Sequence, residues 1–174
     1  MLKVVLISIG ICLSTTAAAC ISQATLDLAK AFEAEAVVVG SAWKFEPIPN
    51  PNGPQLAAAF QIKVREVLSG DISDHLDHRG MLPVSWFIGM GVPSMPGVDS
   101  VFVLQNPSSS IDASWIPQDR LTVLQQPCGP AHIFDSSGDI AKVLGQVLDG
   151  EGDAEMELKV LEEFLFGKEG PGLY

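Results

Sequence analysis

The sequence of 174 residues is poor in positive charge, and it contains only three cysteines and three histidines. Ten Lys and Arg face 21 Asp and Glu, which gives a formal net charge of −11. Such an acidic surface repels a phosphate backbone, so the charge argues against nucleic acid as a partner. The sequence has no Gly-x-Ser-x-Gly, His-Glu-x-x-His or Cys-x-x-Cys motif and no phosphate-binding glycine loop. We therefore expect neither an enzyme nor a bound cofactor.

Residues 1–19 have the layout of a secretory signal peptide. Lys3 precedes an apolar run, and Ala17-Ala18-Ala19 provides a small-residue cleavage site. The apolar run is about half the roughly 20 residues that span a bilayer. Cleavage would leave Cys20 as the first residue of an exported protein, whether periplasmic, secreted or envelope-associated. The alternatives are an uncleaved anchor helix and a lipid attached to Cys20, and only these would bring the protein to a membrane.

Loss of the signal peptide would leave two cysteines, Cys20 and Cys128. An even pair in an exported protein predicts one disulfide, and the alternative is two separate thiols in a reducing compartment. This disulfide would tie the new amino terminus to a late position in the domain. The long loop that it closes makes it worth up to about 4–5 kcal/mol.

Hydrophobic periodicity predicts a mainly β domain with flanking helices. A short helix is expected near residues 23–34, where Ser22 can cap its start. Two helices are expected near the carboxyl terminus, because apolar residues recur there at helical spacing over residues 140–148 and 156–165. Consecutive strands without intervening helices predict an antiparallel sheet or small barrel. The five predicted strands cover residues 37–43, 56–68, 82–88, 100–105 and 120–126.

This order of elements resembles the netrin-like group that includes the tissue inhibitors of metalloproteinases. The matching features are Cys20, a short helix leading into "AFEAEAVVVGSA", the strand "AFQIKVREVLSGD", the strand "SVFVLQ" and Cys128 after the last strand. The resemblance covers residues 20–134 and implies a five-stranded OB-type barrel, with residues 135–174 as a helical extension.

The resemblance also implies a partner-binding edge at Cys20, Ile21 and Ser22. In the inhibitors, the amine and carbonyl of the terminal cysteine chelate the catalytic zinc of a protease, and the next residues enter its substrate cleft. This chain departs from the animal inhibitors, which begin Cys-x-Cys and carry another cysteine between the third and fourth strands. The expected function is therefore protein binding, with inhibition of a zinc protease in doubt. The alternative is an envelope accessory or structural protein without a protease role.

Other residues suggest weaker possibilities. His75 and His78 lie three apart beside two aspartates, so they could bind zinc or copper, although a solvated loop explains them as well. His132 could act as a base, but the expected disulfide would consume the nearest thiol. The three tryptophans, Trp43, Trp86 and Trp115, are interpreted as core or rim residues rather than a ligand cage.

Overall fold

The structure is a computed structural model that describes residues 27–53, 56–89, 99–107, 115–125 and 129–149. Over these ranges the chain is mainly β, as predicted. Its elements in order are the 3₁₀ helix η1 (Leu28–Glu33), β1 (Ala36–Pro49), β2 (Leu56–Gly70), the 3₁₀ helix η2 (Ser73–His75), β3 (Leu82–Gly89), β4 (Ser100–Gln105), β5 (Leu121–Val123), β6 (Ile133–Asp135) and the α-helix α1 (Asp139–Leu148). The expected signal peptide and the second carboxyl-terminal helix lie outside the described residues.

Strands β1 to β5 form a closed barrel. They follow the order β1-β2-β3-β5-β4, and β4 pairs back to β1 to close the circuit. All of these pairings are antiparallel except β3–β5, which is parallel. Because β1 occupies one edge of β4, β5 and the short β6 share its other edge, β5 at residues 104–105 and β6 at residues 100–102.

The inside of the barrel is filled by alternate residues of its strands. Ala36 and Val38 point inward from β1, and their neighbours in the chain point outward. Phe60 and Phe102 meet inside, with ring centroids 6.0 Å apart. The other buried members of this interior core are Ile62, Ile72, Leu82, Val84, Leu104, Leu121 and Val123.

A second core lies on the outer surface of β1 and β4, under η1 and α1. Val37 and Val39 face it from β1, whereas Leu28 and Leu144 approach it from η1 and α1. Helix α1 therefore buries one apolar face against the barrel, as the period of residues 140–148 predicts. The remaining buried members are Ala31, Val101, Val103, Leu124, Phe134, Ala141 and Val147.

Three elements differ from the sequence prediction. Within the described part of the range 23–34, where a helix was expected, η1 is a 3₁₀ helix of six residues, Leu28–Glu33. Strand β1 runs on through Pro47 and Pro49, beyond the strand predicted at residues 37–43. These prolines are two residues apart, so both lack N–H groups on the same strand edge, and β4 pairs only with residues 36–40. Strand β5 is shorter than predicted.

No helix in the described part of the chain is long and apolar enough to cross a membrane.

Candidate partner-binding site

The first described residue, Asp27, is fastened to the barrel by a buried histidine. His132 Nε2 lies 2.9 Å from the carbonyl oxygen of Asp27, although the two residues are 105 positions apart. Leu28 follows Asp27 and is 0% exposed in the outer core. The position at which the amino-terminal segment meets the barrel is therefore fixed by a hydrogen bond and a buried side chain.

The main chain holds His132 in place. Its N–H donates to the carbonyl of Leu124 over 2.9 Å, and its carbonyl accepts from the N–H of Val103 over 3.1 Å. The ring is 0% exposed, meets Phe134 edge-on and has Nδ1 3.2 Å from the Leu124 carbonyl oxygen. A neutral imidazole donates one hydrogen bond and an imidazolium donates two. In either form, His132 links the start of η1 to the segment that follows β5.

A shallow cavity of about 290 Å³ lies beside η1. Within it Lys30 donates to Glu33 over 2.8 Å, and this hydrogen bond raises the pKa of Lys30 above its ordinary value. The Glu35 N–H donates to the Leu104 carbonyl over 2.9 Å, which holds the wall of the cavity to β4. Five of the seven lining residues are polar or charged, and the full lining is Lys30, Glu33, Ala34, Glu35, Gln105, Asn106 and Leu124.

The residues predicted to contact a partner are close in sequence to this anchor. Cys20, Ile21 and Ser22, like Cys128, lie outside the described residues, so the expected disulfide and the expected binding edge both stay predictions. Cys20 precedes Asp27 by seven positions, and Cys128 precedes His132 by four. The hydrogen bond between His132 and Asp27 thus joins two residues that lie close in sequence to Cys128 and Cys20.

The loop with the predicted metal ligands is organised by aspartates. Asp77 Oδ1 accepts from the N–H groups of Arg79 and Met81 over 2.8 and 2.9 Å. These hydrogen bonds, that from Met81 above all, lower the pKa of Asp77. Asp71 likewise accepts from the N–H of Ser73 over 2.8 Å, and this bond lowers its pKa. Both carboxylates therefore shape the turn through backbone contacts.

The two histidines of this loop are not part of a larger ligand cluster. His75 ends η2 and is half-buried, whereas His78 is exposed and its Nε2 lies 3.3 Å from Arg79 Nε. Among the described residues, no group of three or more His, Cys, Asp and Glu side chains could hold a metal ion. A site built on His75 and His78 stays a prediction, and it would need further ligands.

The tryptophans occupy three different environments. Trp86 is half-buried and donates to Gln125 Oε1 over 3.0 Å, and Trp115 packs edge-on against Phe87. Trp43 is 56% exposed on the outer face of β1. Its outward position follows from the alternation of the strand, but its surroundings depend on which residues of β2 lie opposite.

We scanned the chain against family models and no model matches it, and a search of curated proteins gives no match.

Proposed function

We propose that this chain is an exported, non-enzymatic protein-binding domain of the netrin-like OB type, related to the tissue inhibitors of metalloproteinases. The circuit β1-β2-β3-β5-β4-β1 supports the proposed fold, because a five-stranded Greek-key barrel is the architecture of the OB fold. The observation on which the functional proposal depends is the contact between His132 and Asp27.

That contact favours a presented amino terminus. An extended chain covers at most about 3.6 Å per residue, so Cys20 lies within about 25 Å of Asp27 and Cys128 within about 14 Å of His132. A disulfide needs Cα atoms about 4.4–6.8 Å apart, which both tethers allow. A terminus held in this way would lose less conformational entropy on binding than a free one.

The chemistry expected at that terminus is zinc chelation. The α-amine and carbonyl of Cys20 would close a five-membered ring on the metal of a bound protease, since nitrogen and oxygen donors suit zinc. Ile21 and Ser22 would then enter the substrate cleft. The protein itself would perform no reaction, in keeping with the lack of catalytic motifs in the sequence.

The test is inhibition by correctly processed protein. Exported protein beginning at Cys20 is titrated against zinc proteases of several classes, beside a form with one extra Ala before Cys20. The extra residue removes the free amine at Cys20 but leaves the disulfide and the barrel unchanged. We expect inhibition by the first form and at least a hundredfold weaker inhibition by the second.

Two results would overturn the inhibitor proposal. One is the absence of inhibition across all classes by the processed form. The other is an intact mass that places a diacylglycerol on Cys20, because the lipid would anchor this residue in a membrane. That mass would favour a lipid-anchored envelope protein instead. Peptide masses with and without reduction would also establish whether Cys20 and Cys128 are bridged.

A further inference from the structure

The outer face of the β1–β2 hairpin contains an exposed tryptophan on an irregular piece of strand. Trp43 pairs with Gln61 and Glu46 pairs with Ala59, so β1 has one more residue than β2 between these pairs. This extra residue is a β-bulge, and Lys44 within it has a φ of 53°. That left-handed conformation costs a non-glycine residue about 1–2 kcal/mol.

The bulge determines which side chains face solvent. Ala42 packs against the interior core, and so does Phe45, whose ring stacks on Phe60 with centroids 6.2 Å apart. Because two inward residues flank the bulge, Trp43 and Lys44 between them are both exposed. The Trp43 indole donates to Ser41 Oγ over 3.2 Å, which restrains the ring on the surface. Residues in sparsely populated backbone conformations, such as Lys44, cluster at functional sites.

Positive charges that form no ion pair with a described residue lie on or near the same face. Seven Lys and Arg lie in the described residues, and four of them form ion pairs with Asp or Glu: Lys30, Arg65, Arg120 and Lys142. The three that form no ion pair with a described residue are Lys44, Lys63 and Arg79.

Each of these three cations is connected to the surroundings of Trp43. Lys44 follows Trp43 in the bulge, and Lys63 pairs across the strands with Ser41. Arg79 belongs to the loop that reaches this face through Asp77, whose Oδ2 lies 3.4 Å from Nε2 of Gln61, the residue opposite Trp43. Two acids are also near: Glu46 on this part of β1, and Asp77, whose carboxylate accepts from backbone N–H groups and attracts Arg79.

We propose that this surface, the Trp43 patch of Trp43, Lys44, Lys63 and Arg79, is a docking site for an acidic peptide segment of a protein partner. Charge complementarity selects the occupant, because Lys44 and Lys63, which form no ion pair with a described residue, lie beside an exposed indole on a chain with a net charge of −11. Trp and Arg are also among the residues enriched in binding hot spots.

The partner segment binds through its side chains rather than by adding a strand. Beyond Gly40, the edge of β1 away from β2 has no strand neighbour among the described residues. Pro47 and Pro49 remove two N–H donors from that edge, and a proline-bearing edge resists strand addition. An acidic segment with an apolar residue would instead cover the indole and approach the three cations.

The Trp43 patch is centred on the half of β1 that is farther along the chain from η1. Trp43 lies seven residues beyond Ala36, which corresponds to roughly 23 Å along an extended strand. Binding at the patch needs neither a free amine at Cys20 nor a protease, so the two proposals fail or succeed independently.

The test uses the full exported chain and a fluorescein-labelled ten-residue peptide of alternating Glu and Leu. Fluorescence anisotropy is recorded in low salt and again at 0.15 M salt, where the Debye length is about 8 Å. A peptide with Lys in place of Glu serves as the charge control. We expect the Glu peptide alone to bind, with affinity that falls as salt rises.

Four variants locate the binding. Trp43→Ala should weaken it at least tenfold, and Lys63→Gln should weaken it about threefold and flatten the salt dependence. Lys44→Gly should weaken it about threefold while raising the melting temperature by about 2–4 °C, because glycine relieves the positive φ. Lys142→Gln removes a cation from α1 and should change neither quantity.

Amide shifts in an NMR titration give the direct map. The Glu peptide should move the resonances of residues 41–46 and 61–63 and leave those of α1 in place. The proposal is overturned if no binding is found at millimolar peptide in low salt, if both peptides bind alike, or if Trp43→Ala binds as tightly as the wild type.

Discussion

The two halves of β1 lie in opposite environments although they belong to one strand. Residues 36–40 pair with β2 on one edge and β4 on the other, and they are buried on both faces between the interior and outer cores. Residues 41–49 pair with β2 alone, and their outer face is exposed. The first half holds the barrel closed, whereas the second half presents its outer face to solvent.

The amino acids of each half fit these surroundings. "AVVVG" is continuously apolar because no residue of it faces water, whereas "SAWKFEPIP" mixes inward and outward residues. Gly40 marks the boundary. A Cβ atom at that position would lie 2.5 Å from the carbonyl oxygen of Lys63, so close contact between β1 and β2 there requires glycine.

The largest expected effect is a difference in unfolding free energy between two variants. One changes a side chain packed under the first half of β1, and the other changes a side chain on the second half of β1. Leu144→Ala empties part of the outer core beneath Val37 and Val39, which should lower the free energy of unfolding by about 2–5 kcal/mol. Trp43→Ala should change it by no more than about 0.5 kcal/mol, since the side chain is largely exposed. Urea unfolding measures both, and equal losses would show that the two halves do not differ in their structural role.

An intermediate effect is expected at the histidine that fastens the amino-terminal segment. His132→Phe removes the donor to the Asp27 carbonyl, so the free energy of unfolding should fall by about 1–3 kcal/mol. Amide hydrogen exchange of residues 28–33 should accelerate more than that of β2. The matched control is His78→Phe, at an exposed histidine, which should leave both quantities unchanged. Unaltered exchange in His132→Phe would mean that Leu28 alone holds η1.

The smallest expected effect is a change in melting temperature at Asp77, in the loop beside the second half of β1. The folded pKa of Asp77 is lowered from 3.8 by its backbone hydrogen bonds, so its stabilisation is complete above the unfolded value and is lost as pH falls through the folded pKa. Wild type should therefore exceed Asp77→Asn in melting temperature at pH 6, and the gap should close toward pH 2. A gap that stays constant over this range would exclude ionised Asp77 as its source.

Local pattern was sufficient to predict the strands that form most of the barrel. In β2, Phe60, Ile62 and Val64 alternate with Gln61 and Lys63, and that period survives in the structure because one face meets the interior core. Strands β3 and β4 also lie where they were predicted. Hydrophobic periodicity also indicated the mainly β class, and among the described residues β1 to β5 follow one another with only the three-residue η2 between them.

Features that depend on contacts distant in sequence were not predictable. Pro47 and Pro49 indicate a loop locally, and only the pairing of β1 shows that their edge has no neighbour. Strand β6 has only three residues, and it is a strand because it pairs with residues 100–102 of β4. His132 has no local motif, since its partner Asp27 lies 105 positions away. The bulge at Lys44 is a register effect that no single strand specifies.

Closure of the barrel by β1 and β4 has a consequence for folding. Ala36 pairs with Leu104, and Asp27 contacts His132. The start of the domain therefore forms these contacts only after most of the other strands have been assembled. Such large sequence separations raise the contact order, which slows folding because the chain loses entropy before these contacts form. We therefore expect β1 to pair first with β2 in a hairpin and only later with β4. A chain that ends before β4 should not close the barrel.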